Sequence, residues 1–357
     1  MLKSKQLSVF TIILLLVVAA GALFAASLPE VAPFPTPITN SAVTGLKMKG
    51  QWFLFSLMGM GAKKAWDDVS NSTYGVSIEG GDWTALRSVP GAAGRLGASA
   101  AGLDGRIFLL GGYVLDSRGG ELTVPDNNIL EISESQWGRG ADIPVPVADA
   151  VSGIYRERYI YLIGGWSKTE AVRNVQIYDT EKNTWEQATP MAGTPVFGHA
   201  GAVVGDTIIY VDGAHRNPAG DKPRFVVSDE CWLGKIDHHD PSKIVWSKLP
   251  AHPGDARYRI SAGGLEKDDR AYFSGGSASP YNYDGMGYDS KPAEPSPVTF
   301  AYNLHTSKWE VINDKTPNPT MDSGALIAAP QALVIIGGME KGQKVTARVT
   351  VLSKQNK

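Results

Sequence analysis

Six short runs of small residues, "SAVTGL", "GASAAG", "AVSGIY", "AGAVVG", "SAGGLE" and "SGALIA", are each preceded by a polar side chain. In chain order these side chains are Asn40, Arg95, Asp149, His199, Arg259 and Asp322, with Arg257 and Tyr258 beside Arg259. Small-residue runs suit strands crowded around an axis. Their polar leaders would then form a ring of two arginines, two aspartates, a histidine and an asparagine at one mouth of a channel. Such a ring suits a small, polyhydroxylated, anionic ligand, because arginine forks match carboxylates and hydroxyls. The competing reading is a ring satisfied by itself, with Arg95 paired to Asp149 or Arg259 to Asp322, or simply solvated.

Other chemistry-bearing stretches are weaker. "DHHD", Asp237 to Asp240, has metal-ligand residue types, but Asp240 and Pro241 precede Trp246 as Asp179 and Thr180 precede Trp185, so the cluster reads as a solvated turn and no metal is expected. The single Cys231 excludes an internal disulfide and reads as a small buried hydrophobe. Its segment, "SDECWLG", does not suit the cysteine–tyrosine crosslink of a copper radical oxidase. No glycine run is followed by the lysine and helix of a phosphate loop, and the sialidase Asp-box is absent. No cofactor is expected.

These residues need a scaffold, and the chain supplies one by repetition. "RIFLLGGY", "YIYLIGGW", "IIYVDGAH", "AYFSGGSA" and "LVIIGGME" are variants of one phrase, with "WFLFSLMGMG" a degenerate sixth. They recur every fifty to sixty residues or so, the period of four-stranded propeller blades. A second phrase follows, as in "VQIYDTEKNTW" and "TFAYNLHTSKW": a strand, a turn rich in Asp, Asn, Ser and Lys, and a strand opened by tryptophan. The tryptophan can pack between blades while its indole N–H finds a backbone partner. Double glycine, tyrosine and tryptophan in this order resemble the kelch repeat. The expected fold is all-β, a six-bladed kelch-type β-propeller spanning 28–357, with one blade closed by both termini because the last segment supplies three strands. Strand parity places the double glycines, the starts of the inner strands and the long loops 113–128, 214–228 and 277–298 on one face. Binding belongs there.

Lys3 and Lys5 lead an uncharged apolar run, Val9 to Ala26, ending in small residues before "LPE". This reads as a signal peptide over 1–27, with Ala25 and Ser27 at the −3 and −1 positions, and predicts a periplasmic or secreted protein. A membrane enters only if the segment stays uncleaved as an anchor. The formal net charge of −2 gives no reason to expect nucleic acid. The expected partner is a small carbohydrate or an exported protein.

Taken whole, "GDWTALRSVPG", "FGHAGAVV" and "LVIIGGMEKGQKVTARVTVL" resemble the bacterial N-acetylneuraminate epimerases, the cyclically permuted mutarotases. The resemblance implies an exported six-bladed propeller that interconverts sialic acid anomers in an axial pocket, with Arg95, Arg224 or Arg259 holding the sugar carboxylate. It also implies a glutamate directly after the glycine that ends the second strand of the fourth blade. Here the stretch reads "VDGAHRNPAGDKPR", and Ala214 stands in that place. Mutarotation needs a proton removed from the anomeric hydroxyl and one returned to the ring oxygen. His215 and the nearby Asp212 are the candidates to supply it. A second reading is a non-catalytic kelch module that holds a protein or a glycan through its long loops.

Overall fold

The computed structural model describes residues 28–91, 93–220 and 222–355. The apolar run read as a signal peptide lies outside them. Five four-stranded antiparallel sheets and one three-stranded sheet follow one another along the chain as six blades of a propeller. The inner strands are Ala42–Met48, Ser99–Leu103, Val151–Tyr155, Ala200–Val204, Ser261–Leu265 and the short Ile327–Ala328. Small residues are required there. In the fifth blade a Cβ on Gly263 would stand 2.0 Å from the Leu326 carbonyl oxygen of the sixth. The core lies between blades, with separate apolar clusters at successive interfaces, such as Tyr161, Ile163, Ile177, Ile208 and Tyr210 between the third and fourth.

Each second strand ends in two residues with positive φ. In the third blade these are Gly164 and Gly165, at 61° and 97°, and in the fourth Asp212 and Gly213, at 61° and 90°. A Cβ on Gly165 would also lie 2.6 Å from the Ala148 carbonyl oxygen, so φ and space both demand glycine. Just past these pairs, isolated bridges such as Ala148 to Trp166 and Phe197 to Ala214 tie the start of the inner strand to the next connection. The inner-strand starts, the glycine pairs and the long connections therefore share one face, as parity predicts.

Tryptophans join blade to blade as expected, except that the Trp246 indole of the fourth blade packs at its interface without a partner for its N–H. The indoles of Trp137, Trp185 and Trp309 donate to the carbonyls of Arg87, Ala141 and Pro250, each at the end of the preceding blade's outer strand. Trp83 donates to Ala32 at 2.9 Å. By that rule, the N-terminal stretch occupies the outer-strand position of the sixth blade and closes the ring.

It does so as a strap rather than a ladder. Pro33, Pro35 and Pro37 have no N–H to give, and two backbone bonds, Phe34 to Ala347 at 2.7 Å and Ile38 to Thr346 at 3.1 Å, hold the strap beside the last strand, Val349–Leu352. Val31, Phe34 and Ile38 add apolar anchorage against Val334 and Ile336. Trp83→Phe should keep the packing on Phe34 and lose the bond to Ala32. The expected cost is about 1 kcal/mol in denaturant unfolding, with earlier proteolytic cleavage within residues 28–38 as its local signature.

Candidate functional site

The ring at the channel mouth exists, but two of its members differ from the sequence reading. Two residues before each of the first five inner strands, and five before the shortened sixth, the backbone turns left-handed: Asn40, Gly97, Asp149, Gly198, Arg259 and Asp322 have φ between 51° and 61°. Arg95 precedes this register by two residues, and His199 follows it by one. One step of register turns a side chain to the other face.

Four main-chain bonds and two that use side chains link these six positions around the axis. The N–H of Asn40 donates to Asp322 O at 2.6 Å, Asp149 to Gly97 at 2.8 Å, Gly198 to Asp149 at 2.9 Å and Arg259 to Gly198 at 2.7 Å. The Asn40 side chain accepts from the Gly97 N–H at 2.5 Å, and the Arg259 guanidinium bonds Asp322 Oδ1 at 2.5 Å. The circuit is complete. At Gly198 the missing side chain makes room for the Tyr258 ring, which would lie 2.1 Å from a Cβ.

Arg259 spans the mouth. Its other arm meets Asp149 Oδ2 at 2.7 Å, and Asp322 is held further by Thr39 Oγ1 at 3.1 Å and the Asn40 amide at 3.0 Å. The Arg259 and Asp149 side chains are 10% and 11% exposed, and that of Asp322 1%. Burial, with the Asp149 charge, pushes the Asp322 carboxyl up to about 6 against the pull of Arg259. The Arg259–Asp322 ion pair of the self-satisfied reading is therefore present. Arg95 pairs elsewhere, with Asn128 Oδ1 at 2.7 Å and Asp126 at 3.9 Å.

Arg95 and Arg257 occupy the position where other blades bury Val147 or Val196, and both are buried themselves. Arg257 donates to the carbonyls of Gly275 and Val298. These two arginines bind protein, not a guest. His199 is buried against Tyr210, and burial lowers its pKa to about 4, which keeps the ring neutral.

Above the Arg259 bridge lies a cavity of about 160 Å³. Its floor is Asp149 and Arg259, and its walls are aromatic: Trp166, Phe197, Phe225, Tyr258, Tyr281 and Tyr288. Neighbouring rings meet edge-on or tilted, Trp166 on Phe197 at 5.0 Å and Phe225 on Tyr288 at 4.7 Å. Charges converge at the rim from three connections, Glu121, Lys168 and Arg224. Arg224 lies over Phe225 at 4.9 Å and is exposed. Of the predicted arginines, it is the one whose charge is open to the cavity. The loops around Glu121 strip water from it and, with Asp149, raise its carboxyl above the ordinary range, although it keeps an exposed edge. Burial pushes the Tyr288 phenol up to about 12, so it remains a donor.

The connections that carry these residues are themselves hairpins. Tyr113–Leu115 pairs Glu121–Thr123, and Ala214–Arg216 pairs Phe225–Val227. In the second hairpin Arg216 faces Phe225 and Ala214 faces Val227, so these share the Phe225 side of the hairpin, and His215, opposite Val226, lies on the other. His215 bonds its own neighbour through Nδ1 and Arg216 O, at 2.9 Å. Asp212 is also withdrawn. Its left-handed backbone sends the carboxylate between the fourth and fifth blades, where it accepts from the Arg257 N–H at 2.8 Å and faces His252 Nε2 at 2.8 Å. The two candidate acid-base residues thus do not reach the cavity. Ala214, where the resemblance expects glutamate, is fully buried in the Phe197, Phe225 and Tyr258 cluster behind the cavity wall.

Sequence reasoning missed Glu121, Lys168, Trp166 and Phe225. All four come from hairpins whose pairing no single glycine phrase reveals. The "DHHD" stretch is a turn, with Asp237 Oδ1 accepting from the N–H groups of His239 and Asp240.

Comparison with known proteins agrees with this architecture. The Kelch motif matches residues 157–192, the third blade and its exit. The solved structure of YjhT superposes with a TM-score of 0.71, covering 92% of this chain and 98% of its own at 18% identity. The chain is a six-bladed β-propeller that carries a kelch motif. Among curated relatives, N-acetylneuraminate epimerase 1 of Escherichia coli is 24% identical over 316 residues, 77% of the kelch propeller and 80% of the relative. Kelch-like protein terF of Aspergillus terreus is 32% identical over 193 residues, and the kelch propeller spans 38% of that protein's length.

Proposed function

We propose that this kelch propeller is an exported protein that binds a small sugar acid in the aromatic cavity above Arg259, as a mutarotase or a diverged relative of one. The observation that carries the reading is the convergence of Arg224, Lys168 and Glu121 on a cavity walled by tryptophan, phenylalanine and tyrosine. Aromatic faces suit the apolar face of a pyranose, and a guanidinium suits a carboxylate. The likeness to an N-acetylneuraminate epimerase over most of both chains supports a sialic acid as the first ligand to test.

In this reading Arg224 takes the sugar carboxylate and Lys168 adds charge at the rim. Arg259 does not bind the ligand, since its two arms are committed to Asp149 and Asp322. Anomerisation needs a group that exchanges protons near the working pH. Glu121, with its raised carboxyl, is the cavity residue suited to take the proton of the anomeric hydroxyl, and a neutral phenol such as Tyr288 is suited to donate toward the ring oxygen.

The test is proton NMR of freshly dissolved N-acetylneuraminic acid, following the anomer ratio with and without protein. Arg224→Ala should weaken binding at least tenfold, the loss expected when a charged hydrogen bond worth about 1.5–3 kcal/mol disappears. Glu121→Gln should retain binding and lose acceleration. Ala214 favours a second reading, a pocket that kept its ligand and lost its chemistry. Line broadening of the sugar signals with an unchanged rate would select that reading, and no effect on either would reject both.

A further inference from the structure

Away from the cavity, three chemically active side chains meet in a fully buried place at the junction of the fourth and fifth blades. They are Asp212 at the end of the strand Thr207–Val211, Cys231 at the start of Cys231–Ile236, and His252 in the connection to the fifth blade. A carboxylate oxygen, the thiol sulfur and an imidazole nitrogen lie within 4.8 Å of one another. Nothing in the proposed sugar chemistry uses them.

The hydrogen-bond pattern is incomplete in an informative way. His252 Nδ1 lies 2.9 Å from the Pro253 carbonyl oxygen. A carbonyl only accepts, so Nδ1 carries a hydrogen, and in the neutral ring Nε2 presents its lone pair. That lone pair faces Asp212 Oδ2 at 2.8 Å, itself an acceptor already engaged by the Arg257 N–H. Two acceptors at that distance require a cation between or beside them, either a proton or a metal ion. Asp212 Oδ1, on a residue 2% exposed, has no partner at all.

The supporting contacts are those of a ligand shell. Metal-bound histidines characteristically give their second N–H to a backbone carbonyl, which fixes tautomer and ring plane. Here Pro253 does so, and the ring is stacked on Phe300 at 4.4 Å and 12°. A nucleophilic triad is excluded by the same geometry: both imidazole nitrogens are committed to Pro253 and Asp212, and neither is left to activate the thiol. We propose that Asp212, Cys231 and His252 form a structural site for a divalent ion of the zinc class, which pins the fourth blade to the connection that follows it.

A mixed sulfur, nitrogen and oxygen set selects this class over magnesium or calcium. The second Asp212 oxygen or a water fills the fourth position. Ligand atoms around zinc are roughly 3.5 Å apart, so binding opens the 2.8 Å His252–Asp212 pair and draws in the ligand atoms that lie farther out, within 4.8 Å. It also releases the Cys231 thiol proton, and the proton shared by His252 and Asp212, to solvent.

The test uses the full chain, stripped with chelator and given zinc or cobalt(II). One equivalent of zinc should survive gel filtration, and cobalt should give a thiolate-to-metal charge-transfer band. Cys231→Ser, nearly isosteric, should abolish the band and weaken zinc retention at least tenfold. If that variant fails to fold, the band in the unmodified chain decides alone. The proposal is overturned if no metal is retained, which leaves a proton as the occupant, or if metal is retained without a cobalt–thiolate band, which places it elsewhere, such as the Asp237–Asp240 turn. Neither readout depends on sugar binding, so failure here and failure of the sugar reading are separate results.

Discussion

Arg259→Met should be among the most destabilising single substitutions in this protein, lowering the unfolding free energy at neutral pH by about 3–5 kcal/mol. The reason is less the lost attraction than what stays behind. Asp149 and Asp322 would face each other across the mouth with no cation between them, and Asp322 is almost wholly shielded from water. Acid should then rescue the variant. In the unmodified chain the Asp322 pKa is raised from 3.8 to about 6, so the folded state holds a proton that the unfolded chain has released. That contribution is fully present below the unfolded value and is lost as pH rises through about 6. Removing Arg259 removes the charge that opposes the shift, and the window moves upward. Denaturant unfolding at about pH 5 and about pH 7.5 reads this directly: the gap between variant and parent should narrow at the lower pH. The triple variant with Asp149→Asn and Asp322→Asn should recover much of the loss at neutral pH. A gap independent of pH, with no recovery in the triple variant, would show that Arg259 acts by packing alone.

Gly263→Val should break the propeller at one seam. Its Cβ would stand 2.0 Å from the Leu326 oxygen, and Leu326 cannot retreat freely because its own N–H donates to Ala262 O at 3.0 Å. Overpacking of this kind costs about 1–3 kcal/mol where side chains can move aside, and more where the obstacle is backbone. The expected outcome is a loss above about 3 kcal/mol, with protease cutting first between the fifth and sixth blades. Gly138→Ala is the control, since a Cβ there meets only Ile129 O at 3.9 Å; it should unfold with its parent.

The blades were legible because their signals are local and steric. A glycine pair is demanded by φ and by the neighbouring carbonyl at once, and a tryptophan opening the outer strand must reach the previous blade, so both requirements are written into single residues. Glycine also hid the register of the ring. At Gly97 and Gly198 the residue in the left-handed position bears no side chain, and the nearest polar residues, Arg95 and His199, drew attention instead. Aligning "LGAS" and "FGHA" on the residue two before the strand, as with Asn40, Asp149 and Arg259, finds the register without a structure. The cavity was harder. Arg224 was found, but Glu121, Lys168 and Phe225 meet only because separate hairpins fold over the mouth. Asp212 and His215 lie close in sequence to the expected glutamate, but the strand alternation that turns His215 outward acts one residue at a time. The cluster of Asp212, Cys231 and His252 joins positions up to 40 residues apart and leaves no spacing motif.

The circuit at the mouth has a consequence for how this scaffold can change. Four of its six closures use peptide groups, which every residue except proline possesses. The aperture is therefore set by a frame that is indifferent to most of what is mounted on it. Asn and Asp tolerate the left-handed turn well and Gly fits it freely, whereas Arg259 has no such intrinsic leaning. A lineage, or a designer, could re-line this opening for a different guest by exchanging side chains around the rim, provided that the charge on Arg259 and its two acidic partners are replaced together.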